Sequence, residues 1–183
     1  MPTRARLRET AAVGILSSLA FAGGYLFIAV PNVEIFTAIV FLSGLLLGPR
    51  GGMLVGLIAQ TLYATLNPYG VSPPPLLVAQ ILNRVLVGYV GGRFRPLGLT
   101  EGNPWRLGMY FGTAGLLLTV LFDLMTDVSF FFVSGFSLQQ MKTTFTFGLP
   151  FYLVHSLVNT GVFGLVLPFV VRALRRTALL RVS

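Results

Sequence analysis

The sequence predicts an all-α membrane protein, a single integral-membrane domain over residues 1–183 that is a bundle of six transmembrane helices with both termini in the cytoplasm. Of its 183 residues, 55% are hydrophobic and 10% are charged, and the mean hydropathy is +0.83. A soluble domain carries roughly 25% charged residues, so this chain has too few charges to cover a water-exposed surface. Long apolar runs separated by short polar turns indicate repeated crossings of a bilayer.

Each predicted span is an apolar run that ends at a turn or at a basic segment. In chain order the spans are about 11–30, 34–48, 52–67, 76–92, 106–126 and 146–171. A full span needs about 20 residues, so we expect the short second and third spans to tilt little, to borrow flanking residues or to be interrupted. The apolar segment 130–136 is too short to span, and we expect a loop or a partial helix there.

The basic residues give the orientation. With the N-terminus inside, the outer segments hold Lys142 alone and Arg84 lies within the fourth span. The inner segments hold Arg4, Arg6, Arg8, Arg50, Arg93, Arg95, Arg106, Arg172, Arg175, Arg176 and Arg181. Positive residues accumulate on the cytoplasmic side of membrane proteins. The outer loops are then expected at 31–34, 67–75 and 126–146.

Polar side chains within or beside the spans are the candidate substrate-binding residues. A charge at mid-helix costs about 2.5–3.5 kcal/mol on insertion scales, so such residues are rare and usually functional. Many of them recur at three- or four-residue spacing, which places them on shared helix faces. The predicted set is Glu34, Tyr63, Asn67, Gln80, Asn83, Arg84, Asp123, Asp127, Tyr152, His155 and Asn159.

Two interpretations of this set stay open. Most of the residues fall in the outer half of the bundle and come from four helices, which favours a shared pocket that opens outward and holds a solute. The alternative is a buried polar network that joins helices, with Arg84 paired to Asp123 or Asp127. The carboxylates would suit an amine or a cationic ring, and Arg84 would suit an anion. If they neutralise one another, the pocket would take a neutral heteroaromatic compound.

The sequence contains no motif for catalysis, a metal or a cofactor, and we expect none of the three. The absence of Cys and the single His exclude thiolate and multi-histidine sites. Lys142 does not follow a Gly-rich loop, so no Walker A motif is present. An intramembrane enzyme that uses Asp123 and Asp127 is the weakest hypothesis. The net charge of +8 would suggest nucleic acid in a soluble chain, but these arginines lie between apolar runs, and no nucleic-acid partner is expected.

The first span carries a strip of small residues at four-residue spacing, Gly14, Ser18 and Ala22. Small residues let membrane helices approach closely. The strip therefore predicts a helix contact, either within the bundle or with another membrane protein.

Three stretches carry a family resemblance: 41–56 with its Gly-Pro-Arg-Gly-Gly turn, 83–92 and 122–127. Together with the six short helices, the basic N-terminus and the small-residue first helix, they resemble the substrate-binding S component of energy-coupling factor (ECF) transporters, a class of ABC importers. The resemblance implies tight binding of a vitamin or related micronutrient from outside, with cargo held by the first outer loop and helices four to six. It also implies delivery inward with a transmembrane T component, contacted by the first-helix strip, and two cytoplasmic ATPases.

The second hypothesis is a structural membrane scaffold of the cell envelope, similar in size and helix count to the MreD family. It predicts protein partners and no ligand. Substitution of Arg84, Asp123 and His155 separates the two hypotheses. Loss of solute uptake with normal expression would support transport, whereas loss of membrane insertion alone would support a structural network.

Overall fold

A computed structural model describes residues 4–97 and 102–176, and all the regular structure in those ranges is helical. The elements are α1 Arg4–Leu26, α2 Phe36–Thr65, α3 Pro74–Phe94, α4 Pro104–Ser134, α5 Leu138–Gly161, a π-helical turn Val162–Val166 and α6 Leu167–Arg176. Within the described ranges, five helical stretches are long and apolar enough to cross a membrane: α1, α2, α3, α4 and the continuous stretch Leu138–Arg175. The predicted all-helical membrane class is confirmed, whereas the number of six spans and the cytoplasmic location of the termini stay predictions.

Helix α2 contains a sharp reversal at Gly48. This residue has φ +79° and ψ 176°, and Pro49 follows it. Glycine adopts positive φ without a steric penalty, and a proline disfavours helical geometry in the residue before it. The rings of Phe36 and Tyr63 lie 5.6 Å apart, although a straight helix would separate them by roughly 40 Å. The two halves of α2 therefore run antiparallel, and they cover most of the predicted second and third spans.

Glycines allow α2 and α3 to pack backbone against backbone. A Cβ atom on Gly88 would overlap the carbonyl oxygen of Gly52, and one on Gly44 would overlap the carbonyl oxygen of Gly88. Small residues at helix crossings permit this close approach in membranes. The crossing lies one turn from Arg84 and so holds that side chain against both halves of α2.

Most of the segment 126–146, predicted as an outer loop, is helical, and its location outside the membrane stays a prediction. Helix α4 continues through the apolar residues to Ser134, and α5 begins at Leu138. Phe131 in this extension is almost fully buried and contacts the ring of Phe145 at 6.2 Å. Gly135 with φ +98° ends α4, and the Ser137 hydroxyl accepts from the Gln140 backbone N–H at the start of α5. Local packing therefore extends a helix that length alone predicted to end earlier.

An aromatic core packs against the polar residues, with Phe41 one helical turn after Thr37 and Phe163 one turn after Asn159. Phe41 packs against the rings of Phe94, Phe111 and Phe163 at 5.0, 5.9 and 5.1 Å. Phe41, Phe111 and Phe163 are fully buried. The side chains that contact Arg84 and Glu34 lie on the other side of this core, toward the connection between α1 and α2.

Candidate ligand-binding site

A cavity of about 260 Å³ lies beside the connection between α1 and α2. Five of the predicted site residues line it: Glu34, Tyr63, Gln80, Arg84 and His155. The remaining lining residues were not predicted as individual site residues, and they are Gly24, Phe27, Ile28, Val30, Pro31, Asn32, Val33 and Phe122. The cavity thus has a charged wall, formed by Glu34, Arg84 and His155, and an apolar wall from the end of α1 and the connection.

The connection between α1 and α2 is fastened to α5. Asn32 adopts φ +60°, and its side-chain amide donates to the carbonyl oxygen of Phe151 at 2.8 Å. Asparagine is among the few residues other than glycine that tolerate this backbone conformation. The contact holds the connection against the cavity.

Arg84 is fixed in the charged wall by aromatic and polar contacts. Its guanidinium lies over the rings of Phe36 and Phe122, at 4.7 and 4.6 Å from the ring centroids. Its Nε donates to the Gln60 carbonyl oxygen at 3.3 Å, and its Nη1 donates to the Thr37 hydroxyl. Cation–π contacts of a desolvated guanidinium contribute about 2 kcal/mol each, so this side chain is rigidly placed.

Glu34 lies outside the spanning helices, immediately before α2. Its carboxylate accepts from the backbone N–H of Thr37 at 2.8 Å, from the Thr37 hydroxyl and from the Asn159 amide at 3.1 Å. Arg84 Nη1 lies 4.0 Å away. Burial alone would raise the pKa of Glu34, but the contact with His155, the charge of Arg84 and the hydrogen bond from Thr37 lower that pKa to about 2. The carboxylate is therefore ionised at neutral pH.

His155 lies between two carboxylates. Its Nδ1 is 2.8 Å from Asp123 Oδ1, and its Nε2 is 3.7 Å from Glu34 Oε1. Protonated imidazole carries a donor on each ring nitrogen, so the charged form donates to Asp123 and presents its second N–H toward Glu34. Among the described residues, the acid in ion-pair contact with Arg84 is Glu34. The predicted pairing of Arg84 with Asp123 or Asp127 is therefore wrong, because Asp123 is turned to His155 and Asp127 accepts from the Tyr152 hydroxyl.

Two glutamines extend the polar network beyond Arg84. The Gln60 amide nitrogen donates to the Gln80 carbonyl oxygen at 3.2 Å, and the Ser72 hydroxyl donates to the same oxygen at 3.2 Å. The network therefore joins both halves of α2 to α3 and, through Glu34, to α5.

Some predicted residues lie outside the cavity lining. Asn83 is fully buried and donates to the Leu118 carbonyl oxygen at 3.4 Å, joining α3 to α4. Asn67 accepts from the Tyr69 backbone N–H at 2.9 Å, within the turn after α2. Asn159, Asp123, Asp127 and Tyr152 do not line the cavity either, although the first two contact residues that do.

Three residues that were not predicted contact Arg84 directly, and they are Phe36, Thr37 and Phe122. Thr37 follows Glu34 by three residues, the spacing at which a side chain reaches a helix N-terminal amide. Phe122 adjoins Asp123 in sequence. These adjacencies are the signals by which the sequence could have shown them.

The small-residue strip of α1 lies on an open face. Gly14, Ser18 and Ala22 are exposed, and a Cβ atom on Gly14 would meet nothing within 4 Å. The opposite face of α1 is buried through Ala20 and Gly24. The strip therefore makes no close helix contact within the described part of the bundle.

Residues 4–138 match the family model described as "ECF-type riboflavin transporter, S component". No curated protein and no solved structure matches the chain at a significant level. The matched range covers most of the chain and contains α1 to α4 with the residues of the charged wall they contribute.

Proposed function

The chain belongs to the family of ECF-type riboflavin transporter S components, and from this we propose that it binds a vitamin-like solute at the outer face of the cell membrane. Families of this type are transport subunits, not enzymes, with a small-molecule substrate and with T-component and ATPase partners. We propose that this chain likewise delivers its solute inward with a T component and two cytoplasmic ATPases, with both of its termini inside.

The cavity beside the α1–α2 connection is the proposed binding site. The observation that carries this proposal is the convergence of Glu34, Gln80, Arg84 and His155 on one cavity of about 260 Å³. Ligand sites commonly combine apolar walls with a few convergent polar groups. Asn67, Asn83, Asp127 and Tyr152 were predicted to bind the solute directly, but their observed contacts support a structural role instead.

We propose riboflavin as the first ligand to test, since the name of the family contains it. Its ring system is planar and heteroaromatic, and Tyr63, Phe122 and Phe27 supply aromatic surface to the cavity. The opposite charges of Arg84 and Glu34 neutralise one another locally, which suits a ligand without net charge.

We propose that the T component docks on the exposed face of α1. Gly14, Ser18 and Ala22 offer a flat strip there, and such strips associate with other helices in lipid. The exposed leucine and isoleucine side chains Ile15 and Leu19 flank the strip and would add packing area.

Two measurements test the proposal. Native mass spectrometry of the protein purified from cells is expected to show a retained small molecule, and fluorescence titration is expected to show saturable binding of riboflavin. Coexpression with T-component and ATPase subunits should yield a complex. A folded protein that retains no solute, binds none and forms no such complex would instead favour the scaffold hypothesis.

A further inference from the structure

A glycine near the end of α1 lies in the cavity wall, in close contact with an aromatic ring. Gly24 and Tyr63 both line the cavity. A Cβ atom on Gly24 would lie 2.9 Å from Tyr63 Cε2, 3.0 Å from Tyr63 Cδ2 and 3.2 Å from Phe36 Cδ2. Carbon atoms in favourable contact are about 3.5–4.0 Å apart. No side chain therefore fits between the α1 backbone and the Tyr63 ring unless one of them moves.

The backbone at Gly24 is held in place by the next residue. The Tyr25 hydroxyl donates to the carbonyl oxygen of Leu66, which ties the end of α1 to the end of α2. The Tyr25 ring also meets the Tyr63 ring edge to face, with 5.6 Å between the centroids. A retreat of α1 would break both contacts. A side chain at residue 24 would therefore displace the Tyr63 ring rather than the helix.

The space that a displaced Tyr63 ring would enter is the cavity. Phe36 packs against this ring at 5.6 Å between centroids, and Phe36 is itself 3% exposed and lies under the Arg84 guanidinium. Among the described residues, Gly24, Tyr25 and Phe36 thus enclose the ring on its packed sides, and the open space beside it is the cavity. At about 260 Å³, this cavity is already smaller than the roughly 300–1,000 Å³ that is usual for ligand pockets. A small displacement would therefore remove space that the solute needs.

We propose that Gly24 is a specificity-determining residue, which sets the widest ring system that the cavity admits. It acts through Tyr63, because only a residue without a side chain leaves that ring in its place. A solute with a wide ring system needs this space, whereas a narrower solute does not. The inference rests on the proposed function and specifies the size of its substrate.

The test compares two ligands of different width by fluorescence titration of the purified full-length protein. Riboflavin has three fused rings, and 6,7-dimethyl-8-ribityllumazine has two, with the same ribityl chain and the same pyrimidine edge. We expect Gly24→Ala to weaken riboflavin binding at least tenfold and to change lumazine binding less than threefold. Unchanged riboflavin affinity, or an equal loss for both ligands, would overturn the assigned role of Gly24.

The matched control is Gly23→Ala, a change at the neighbouring glycine of α1. A Cβ atom on Gly23 would meet the side chains of Ile39 and Ile35 at 2.7 and 3.1 Å, and Gly23 is not among the described residues that line the cavity. An isoleucine side chain can rotate aside, so this variant should bind both ligands within threefold of the wild type. A tenfold loss of riboflavin binding in Gly23→Ala would show that any methyl group on this part of α1 disturbs the site.

Thermal unfolding of the ligand-free protein tests the contribution of Tyr63 separately. Gly24→Ala is expected to lower the melting temperature, because overpacking strains the contact. The loss should be at least halved in a Tyr63→Leu background, where the ring that the methyl group displaces is absent. An equal loss in both backgrounds would overturn the coupling of Gly24 to Tyr63.

The proposed function fails in a different way. A folded wild-type protein that binds neither ligand would overturn the proposed riboflavin function, and the size limit with it. The contrary results for the Gly24 variants would overturn the size limit alone.

Discussion

The Thr37 hydroxyl accepts a hydrogen bond from the buried Arg84 guanidinium. The same hydroxyl donates to Glu34, whose Oε1 lies 4.0 Å from Arg84 Nη1. Thr37 is 1% exposed, so no bulk water substitutes for it. A single hydroxyl thereby links the two opposite charges of the candidate site.

Replacing Thr37 with valine is expected to weaken riboflavin binding at least tenfold and to lower the thermal stability. Valine matches threonine in shape but removes a hydroxyl from two charged partners, and hydrogen bonds to charged groups contribute about 1.5–3 kcal/mol. Thr37→Ser keeps the hydroxyl and should bind within about threefold of the wild type. Fluorescence titration and thermal unfolding measure both effects, and equal affinities of the two variants would contradict the assigned role.

Arg84→Met is expected to destabilise the protein by about 3–5 kcal/mol, because the buried Glu34 carboxylate loses the charge of Arg84 and the Thr37 hydroxyl loses its donor. Adding Glu34→Gln should recover part of this loss, since the uncompensated charge is then removed as well. The free energy of unfolding in a denaturing detergent measures the difference.

The control for this pair is Arg93→Met, which removes an exposed arginine from the same helix. It should change the unfolding free energy by about 0.5 kcal/mol or less. A double variant no more stable than Arg84→Met alone would show that the two charges are not coupled.

Gly88→Ala is expected to destabilise the crossing of α2 and α3 by about 1–3 kcal/mol, the usual effect of overpacking. The new methyl group would meet the Gly52 backbone, which cannot move aside as a side chain can. Gly14→Ala is the matched control, because nothing lies within 4 Å of its Cβ position. Thermal unfolding should show a loss for the first variant alone, and an equal response of both would argue against backbone contact at Gly88.

Ser18→Leu is expected to abolish copurification with coexpressed T-component and ATPase subunits while leaving riboflavin affinity unchanged. The larger side chain would obstruct close approach to the exposed strip of α1. Thr113→Leu places the same side chain on an exposed position of α4 and should preserve the complex. Normal complex formation by Ser18→Leu would move the proposed partner contact to another face.

Spacing along the chain correctly assigned Gln80 and Arg84 to one helix face, because the α-helical repeat alone determines that relationship. The high cost of a charge in the bilayer likewise identified Arg84 and His155 as candidates, and Glu34 was predicted from its place at the outer end of the second span. All four line the cavity. These inferences depend on local geometry and on solvation, and both can be read from a single sequence.

Spacing could not determine which faces meet across helices. Asp123 and Asp127 are four residues apart, yet one contacts His155 and the other Tyr152. Their partners depend on the rotation of α4 against α5, which the tertiary packing sets. Residue spacing also contains no measure of how closely the halves of α2 approach, so it did not predict that Thr37 reaches Arg84.

The reversal at Gly48 joins the two antiparallel halves of α2 at one end and leaves them free at the other. Thr37 and Gln60 lie near the free ends of the two halves, and both accept hydrogen bonds from Arg84. The reversal at Gly48 lies about 16 Å from Thr37 along the first half. Increasing the angle between the two halves by only 5° would separate Thr37 from Gln60 by roughly 1.4 Å at that distance, enough to break a hydrogen bond. A small change of angle at Gly48 would therefore release Arg84 from its hydrogen bonds and weaken the binding of a solute in the cavity.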